Sequence, residues 1–263
     1  MLLWFLKVLE SGDQDGLKRL LTDADLLSTR DSNMNNLLHY ASITGNVEAA
    51  RLLLEAGLHP DSANLMGLTP LCDASLNGSI ELISLLLNHG ANVNPPHTPT
   101  SPVTHATFQG HVDALRLLTR AGADLNVIDG LGNQPLHVAV RRKFYAGAQI
   151  LLLAGADVNC RRKLKTPLHM AAKRNDILMA TILLAHGADP LLMDRKNRSP
   201  LDCAPPDSEL FHLLRAIQGK VPSLKFLTRL AFRKVIFTCD LEKSNELHLP
   251  TSLLDYLLFK RLY

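Results

Sequence analysis

One block of residues recurs six times along this 263-residue chain, each copy starting 32 or 33 residues after the last. The copies are Asn36-Leu37-Leu38-His39, Thr69-Pro70-Leu71-Cys72, Ser101-Pro102-Val103-Thr104, Gln134-Pro135-Leu136-His137, Thr166-Pro167-Leu168-His169 and Ser199-Pro200-Leu201-Asp202. An alanine follows at a fixed offset in every copy: Ala41, Ala74, Ala106, Ala139, Ala171 and Ala204. A leucine-rich stretch comes next. In most units it is closed by a Gly-Ala-Asp or Gly-Ala-Asn turn, as at Gly90-Ala91-Asn92, Gly122-Ala123-Asp124, Gly155-Ala156-Asp157 and Gly187-Ala188-Asp189. A fixed period of this size constrains the fold more than any composition does. One small unit is repeated, none can bury its own apolar face, and stacking on its neighbours buries it.

Each position has a physical role. Thr or Ser before Pro predicts a helix start, because the hydroxyl caps free N–H groups and Pro suits the first turn. Leu and the small Ala face the neighbouring helix. Gly45, Gly78 and Gly110 fall where that helix must end with positive φ. Lys143 and Asn175 occupy the same slot in the next two units. Asn tolerates this conformation, but Lys does so only at a cost, which predicts an altered turn at Lys143. A second helix follows, with its apolar face at Ala50, Leu52, Leu53 and Leu54, or Ile83, Leu85, Leu86 and Leu87. His39, His137 and His169 belong to the block and are expected to hydrogen-bond neighbouring turns.

The ends of the array depart from the pattern. Gly12 and Leu20-Leu21 keep the register, so Leu3 to Leu21 reads as a degenerate first unit. The apolar start Met1 to Leu6 lacks a basic flank and a small-residue cleavage site, and no secretion signal is expected. In the last copy Pro205-Pro206 should cut the first helix short, leaving Asp207 to Gln218 as a second helix that ends at Gly219. The tip Pro95 to Pro102 is proline-rich and reads as a stiff variant loop, with a partner contact as the lesser alternative. A period near 33 residues with a T-P-L-H-x-A signature resembles the ankyrin repeat. The fold class expected is therefore all-α, an ankyrin-repeat solenoid of about six repeats plus the degenerate N-terminal one.

Composition excludes several functions. No apolar stretch is long enough to span a bilayer. The four cysteines, Cys72, Cys160, Cys203 and Cys239, form no C-x-x-C pair, which argues against a disulfide framework or a zinc site. No metal ligand set, cofactor or catalytic residue is expected, since no phosphate-binding glycine loop or nucleophile motif is present. Net charge is +3 but unevenly spread. Residues 1–100 hold five Lys/Arg against eleven Asp/Glu, and residues 141–200 hold twelve Lys/Arg against four Asp. The basic residues fall at matching repeat positions: Arg141, Arg142, Lys173 and Arg174 at first helices, and Arg161, Arg162, Lys163, Lys165, Arg195, Lys196 and Arg198 at turn tips. In an ankyrin-like stack these positions share the concave side. The stripe reads either as a solvated charged face or as a groove for an acidic protein substrate. Nuclear import or nucleic-acid contact is a lesser option, and the lack of interleaved aromatics weakens the nucleic-acid one.

Beyond Gly219 the period ends. Pro222-Ser223 predicts a new helix start, followed by apolar Leu224, Leu227 and Phe232, a polar linker, and a final amphipathic segment with Leu253, Leu254, Tyr256, Leu257 and Phe259. The stretch Ser223-Leu224-Lys225-Phe226-Leu227-Thr228-Arg229-Leu230-Ala231-Phe232-Arg233 resembles the elongin C motif of a SOCS box, with Thr228 where that motif has Cys. Leu247-His248-Leu249-Pro250-Thr251-Ser252-Leu253-Leu254-Asp255-Tyr256-Leu257 resembles the cullin-5 motif, with His248 in place of its first Pro. Nearly the whole chain is thus similar to the ankyrin repeat and SOCS box family, with a repeat domain at 1–219 and a SOCS box at 220–263.

The resemblance implies partners: elongin C and elongin B through Ser223, Leu224, Leu227, Thr228 and Phe232, and cullin-5 with a RING-box subunit through Leu247, Leu249, Pro250, Leu253 and Tyr256. It also implies a non-catalytic ligase adaptor, working in the cytoplasm with the nucleus as a second compartment. A plain ankyrin scaffold or inhibitor is the alternative.

Overall fold

A computed structural model of the chain describes residues 27–218, apart from His97 and Lys163, together with Val8 and Gly16. The SOCS-like tail and its expected docking residues lie outside the described residues. So does most of the degenerate first unit, of which Val8 and Gly16 are helical and buried.

The described chain is a succession of short helices in pairs: α1 Leu37–Thr44 and α2 Val47–Glu55, α3 Pro70–Asn77 and α4 Ile80–Asn88, α5 Pro102–Gln109 and α6 Val112–Arg120, α7 Pro135–Arg142 and α8 Tyr145–Leu153, α9 Pro167–Lys173 and α10 Ile177–Ala185, α11 Pro200–Cys203 and α12 Glu209–Gln218. No described segment forms a strand, and one isolated bridge pairs Arg162 with Lys165. Two compact units divide within α8, at Ile150 and Leu151. In the first unit α1 packs on α3, α3 on α5 and α5 on α7, while α2 packs on α4 and α4 on α6. In the second, α9 packs on α10 and α11, and α12 on α10 and α11.

Leucines fill the first unit. Leu37, Leu38, Leu53, Leu71, Leu82, Ile83, Leu86, Leu115 and Leu118 are fully buried. Each contributes about 1.5–3 kcal/mol by leaving water. Ala41, Ala74, Ala106 and Ala139 are also fully buried, which explains the invariable small residue: the first helices meet there without room for a larger side chain.

The helix starts follow the residues before each proline. Ser101 Oγ accepts from the Thr104 N–H at 3.3 Å, and Thr166 Oγ1 and Ser199 Oγ accept from His169 and Asp202 N–H at 3.4 Å. Thr69 differs, because its hydroxyl turns to Cys72 Sγ at 3.6 Å and makes no cap. The helix ends follow the glycines. Gly78 has φ 77°, and a Cβ there would lie 2.5 Å from the ring of His111, whose Nε2 hydrogen-bonds the Leu76 carbonyl at 3.1 Å. The expectation of an altered turn at Lys143 is corrected. Lys143 takes the left-handed conformation itself (φ 56°, ψ 33°), and its N–H still reaches the Val140 carbonyl at 3.2 Å. The stack sets the chain path there and overrides the residue's preference. In the last repeat α11 spans four residues before Ala204 turns extended at ψ 145°, as Pro205-Pro206 requires.

Candidate functional site

Turn tips carry much of the surface the repeats present, and a repeated side-chain turn builds them. Asp31 Oδ1 accepts from the Asn33 and Asn35 N–H groups. Asn64, Asp129 and Asp194 do the same for the residues two and four places on. The residue closing each turn has positive φ: Met34, Gly67, Gly132 and Asn197. An acceptor that folds its own backbone in this way holds the next side chains outward. Leu65, Met66 and Leu131 therefore stand exposed at the tips, and Ile128, just before Asp129, is exposed as well. The proline-rich tip is tied down differently, with the Pro99 carbonyl accepting from Gly130 N–H at 2.7 Å.

The block histidines clamp one repeat to the next. His39 Nδ1 bonds Asn36 at its own helix start, and Nε2 bonds the Leu68 carbonyl of the next repeat at 3.1 Å. His169 repeats this, with Thr166 on one side and the Arg198 carbonyl at 3.0 Å on the other. Burial holds both rings below the usual imidazole range, so they stay neutral and structural. His137 takes the Gln134 N–H at 3.3 Å. Burial also pushes the thiols up, Cys72 to about 11 and Cys160 to about 12, which leaves them poor nucleophiles. Among the described residues no group of three His, Cys, Asp or Glu side chains is gathered that could hold a metal ion. No described helix is long and apolar enough to cross a membrane.

The basic positions fall in both units. In the first, Arg141 is half-buried and Arg142 lies over the Phe108 ring at 4.6 Å. In the second, Arg161, Lys173, Arg174, Arg195 and Lys196 are exposed, and Arg162 and Lys165 are half-buried partners in the tip bridge. Lys165 and Arg198 both act electrostatically on His169 and Cys203, so the structure brings these two tips together. Arg198 is held inside its own turn. Its Nη2 donates to Asp194 Oδ2 at 2.8 Å, and this bond keeps the Asp194 carboxyl well below the usual carboxylate range. Arg198 therefore orders the tip, while its exposed neighbours supply the free charge. Lys163 lies outside the described residues, as do Ser223, Leu224, Leu227, Thr228 and Phe232, and Leu247, Leu249, Pro250, Leu253 and Tyr256.

One residue escaped the sequence reading. Asp73 occupies the variable position of the block, is only 9% exposed, and its Oδ2 has no hydrogen-bond partner. From sequence it passes for one more solvated acid. Only the neighbouring helices reveal its burial.

Comparison with known proteins agrees with this geometry. Family models for ankyrin repeats match residues 5–97, 95–162 and 151–204, and the SOCS box model matches residues 220–258. Mouse cyclin-dependent kinase 4 inhibitor B is 43% identical over 119 residues, which is 44% of this chain and 91% of that protein. Among solved structures, the human ASB11 ankyrin repeat domain has a TM-score of 0.72 at 28% identity, covering 81% of this chain and 96% of that one. The Bcl-3 ankyrin repeat domain has a TM-score of 0.73 at 25% identity, covering 81% and 97%. Repeats joined to a SOCS box define a class of non-catalytic ubiquitin-ligase adaptors, in which the box serves elongin B, elongin C and a cullin and the chemistry lies in partner subunits. The chain belongs to the ankyrin repeat and SOCS box family.

Proposed function

We propose that this protein is the substrate-recognition subunit of an elongin BC–cullin-5 ligase with a RING-box subunit. It holds a target on its repeats and so promotes the target's ubiquitination and proteasomal degradation. The carrying observation is the SOCS box match at 220–258, directly after the repeat array. Residues 1–219 form the recognition domain and 220–263 the docking domain in this reading. Leu224, Leu227 and Phe232 enter the apolar surface of elongin C, with Ser223 opening the motif and Thr228 in the motif's cysteine position. Leu247, Leu249, Pro250, Leu253 and Tyr256 select cullin-5. The adaptor's contribution to rate is proximity, a target lysine kept near the charged conjugating enzyme. The exposed basic residues of the second unit, with Arg141 and Arg142 of the first, favour an acidic substrate. The cytoplasm is the place of action, with the nucleus as a second compartment.

Co-expression with elongins B and C tests the docking step. The wild type should elute as a stable complex from size-exclusion chromatography, and Leu224→Asp should elute alone. Losing one buried leucine weakens such docking by about ten- to a hundredfold. A folded wild-type chain that binds neither elongin would leave the second reading, a non-degradative inhibitor or scaffold. The 43% identity over 119 residues to a protein named as a kinase inhibitor favours that alternative.

A further inference from the structure

Among the described residues, five turn tips have a positive φ at the same place, two residues before the helix cap: Met34, Gly67, Gly132, Leu164 and Asn197. Glycine and asparagine take that conformation readily, whereas a leucine takes it only under strain. Leu164 holds it with φ 64° while 45% exposed. Its tip breaks a second local rule. In the other four tips the residue three places earlier is the acceptor that folds the turn: Asp31, Asn64, Asp129 or Asp194. Met34 shares the strain but keeps that acceptor. Before Leu164 the place is taken by Arg161, whose side chain can accept nothing. The backbone closes the turn instead, Arg162 and Lys165 each donating N–H to the other's carbonyl at 2.9 Å. Neither departure helps the fold. Strain and exposure kept together at one leucine point to a role outside it.

The next tip of the second unit lies alongside. Asp189 N–H donates to Asn159 Oδ1 at 2.8 Å on the side where the chain enters the tips, and His169 Nε2 bonds the Arg198 carbonyl at 3.0 Å on the side where it leaves. Between those ties, with Leu164, stand Leu191 and Met193, 60% and 45% exposed. Arg161, Arg195 and Lys196 are exposed in the same two tips, and no described acid forms an ion pair with them. Asp194, the acid next to Arg195, is buried and already engaged by Arg198. The paired tips thus offer aliphatic side chains and uncompensated cations together.

We propose that these paired tips dock an acidic segment of the target that carries an apolar side chain next to its carboxylates. Leu164 is the specificity-determining anchor for the apolar group, and Arg161, Arg195 and Lys196 receive the acids. The proposal deepens, and rests on, the reading of the second unit as the surface for an acidic substrate. Charge complementarity selects the acids. A surface that read charge alone would gain from glycine or asparagine at position 164, which relieves the strain. Leucine contributes there only when an apolar group covers it and excludes water from the neighbouring charges. The aliphatic side chains also argue against a nucleic acid, whose bases stack on aromatic planes.

Panning a random peptide display library on the full chain tests it. The recovered peptides should share an apolar residue next to Asp or Glu. Fluorescence anisotropy with a recovered peptide should show binding about tenfold or more weaker to Leu164→Asn, and to the double variant Arg195→Glu with Lys196→Glu, than to wild type. Leu164→Asn should meanwhile unfold at a denaturant midpoint equal to or above that of the wild type, since Asn197 holds the same place in the next tip. Changing the peptide's apolar residue to Ser should weaken binding to wild type but add little on Leu164→Asn, the coupling expected of a direct contact. If the charge variant binds weakly and Leu164→Asn binds like wild type, the anchor is overturned and the acidic-substrate reading stands. Unchanged binding by the charge variant, recovered peptides without acids, or no enrichment at all would overturn both. A lower midpoint for Leu164→Asn would assign the leucine to the fold and overturn the proposal.

Discussion

At the scale of single residues, burial changes what an acid does. Burial raises the Asp73 carboxyl to about 7. Its folded-state pKa therefore stands above the ordinary value of the unfolded chain. The stability it contributes by holding a proton is complete at acid pH and is lost as pH rises through about 7. The loss is on the order of a few kcal/mol. The histidines pull the other way, because burial lowers His39, His105 and His169, and stability is lost as they are forced to charge at low pH. The informative quantity is the difference between wild type and Asp73→Asn in thermal unfolding. Asn has no charge to bury, so the advantage of the variant should be least below about pH 4, grow between about pH 4 and pH 7, and stay level above that. A constant difference across that range would place Asp73 in a solvated setting. The sequence alone could not show this, for the block tolerates Tyr, Asp, His, Val, Met and Cys at that position.

At the scale of elements, the repeat's helices are short and depend on their caps. A helix of eight or nine residues is marginal by itself, and most of its stability comes from packing and from well-satisfied ends. Lys143 shows how far the stack dictates an end. A non-glycine residue in the left-handed region costs about 1 kcal/mol relative to glycine, yet the φ of 56° is held because α5 and α7 pack along their length. Lys143→Gly should raise stability by about 1 kcal/mol, offset in part by the greater freedom of Gly in the unfolded chain. Chemical denaturation should show a higher midpoint with an unchanged slope. Helix starts at Ser101, Thr166 and Ser199 were legible because a hydroxyl before Pro has one favourable use. The diversion of Thr69 to Cys72 was not, because it depends on which residue stands three places on.

At the scale of the whole molecule, exposed apolar and basic side chains are unevenly shared. The first unit exposes Leu65, Met66, Ile128 and Leu131 at its tips and ends α7 on Arg141 and Arg142, and the second unit exposes Arg161, Lys173, Arg174, Arg195 and Lys196. Reversing charge at Arg162 and Lys163, both to Glu, should weaken capture of an acidic substrate while leaving elongin binding intact. Pull-down of both partners from one preparation separates the two effects, since repeats and box act through different residues. Unchanged substrate capture would remove the basic residues from recognition. Salt should weaken the wild-type substrate contact more than the elongin contact, because screening acts on exposed charge and far less on buried leucine.

The fold was written in the sequence, because a repeat is a local instruction issued many times. Hydroxyl–Pro starts, glycine stops, alanine contacts and leucine faces each act within a few residues of themselves, and their recurrence every 32 or 33 residues leaves one way to bury them. The tail's motifs were readable for the same reason, being short and contiguous. What only the tertiary structure decided are quantities set by residues distant in the chain. Among these are the left-handed turn at Lys143 and the burial of Asp73 in a helix packed on both sides by those of other repeats. Burial and partner satisfaction are properties of neighbourhoods, and a neighbourhood exists only once the units have stacked.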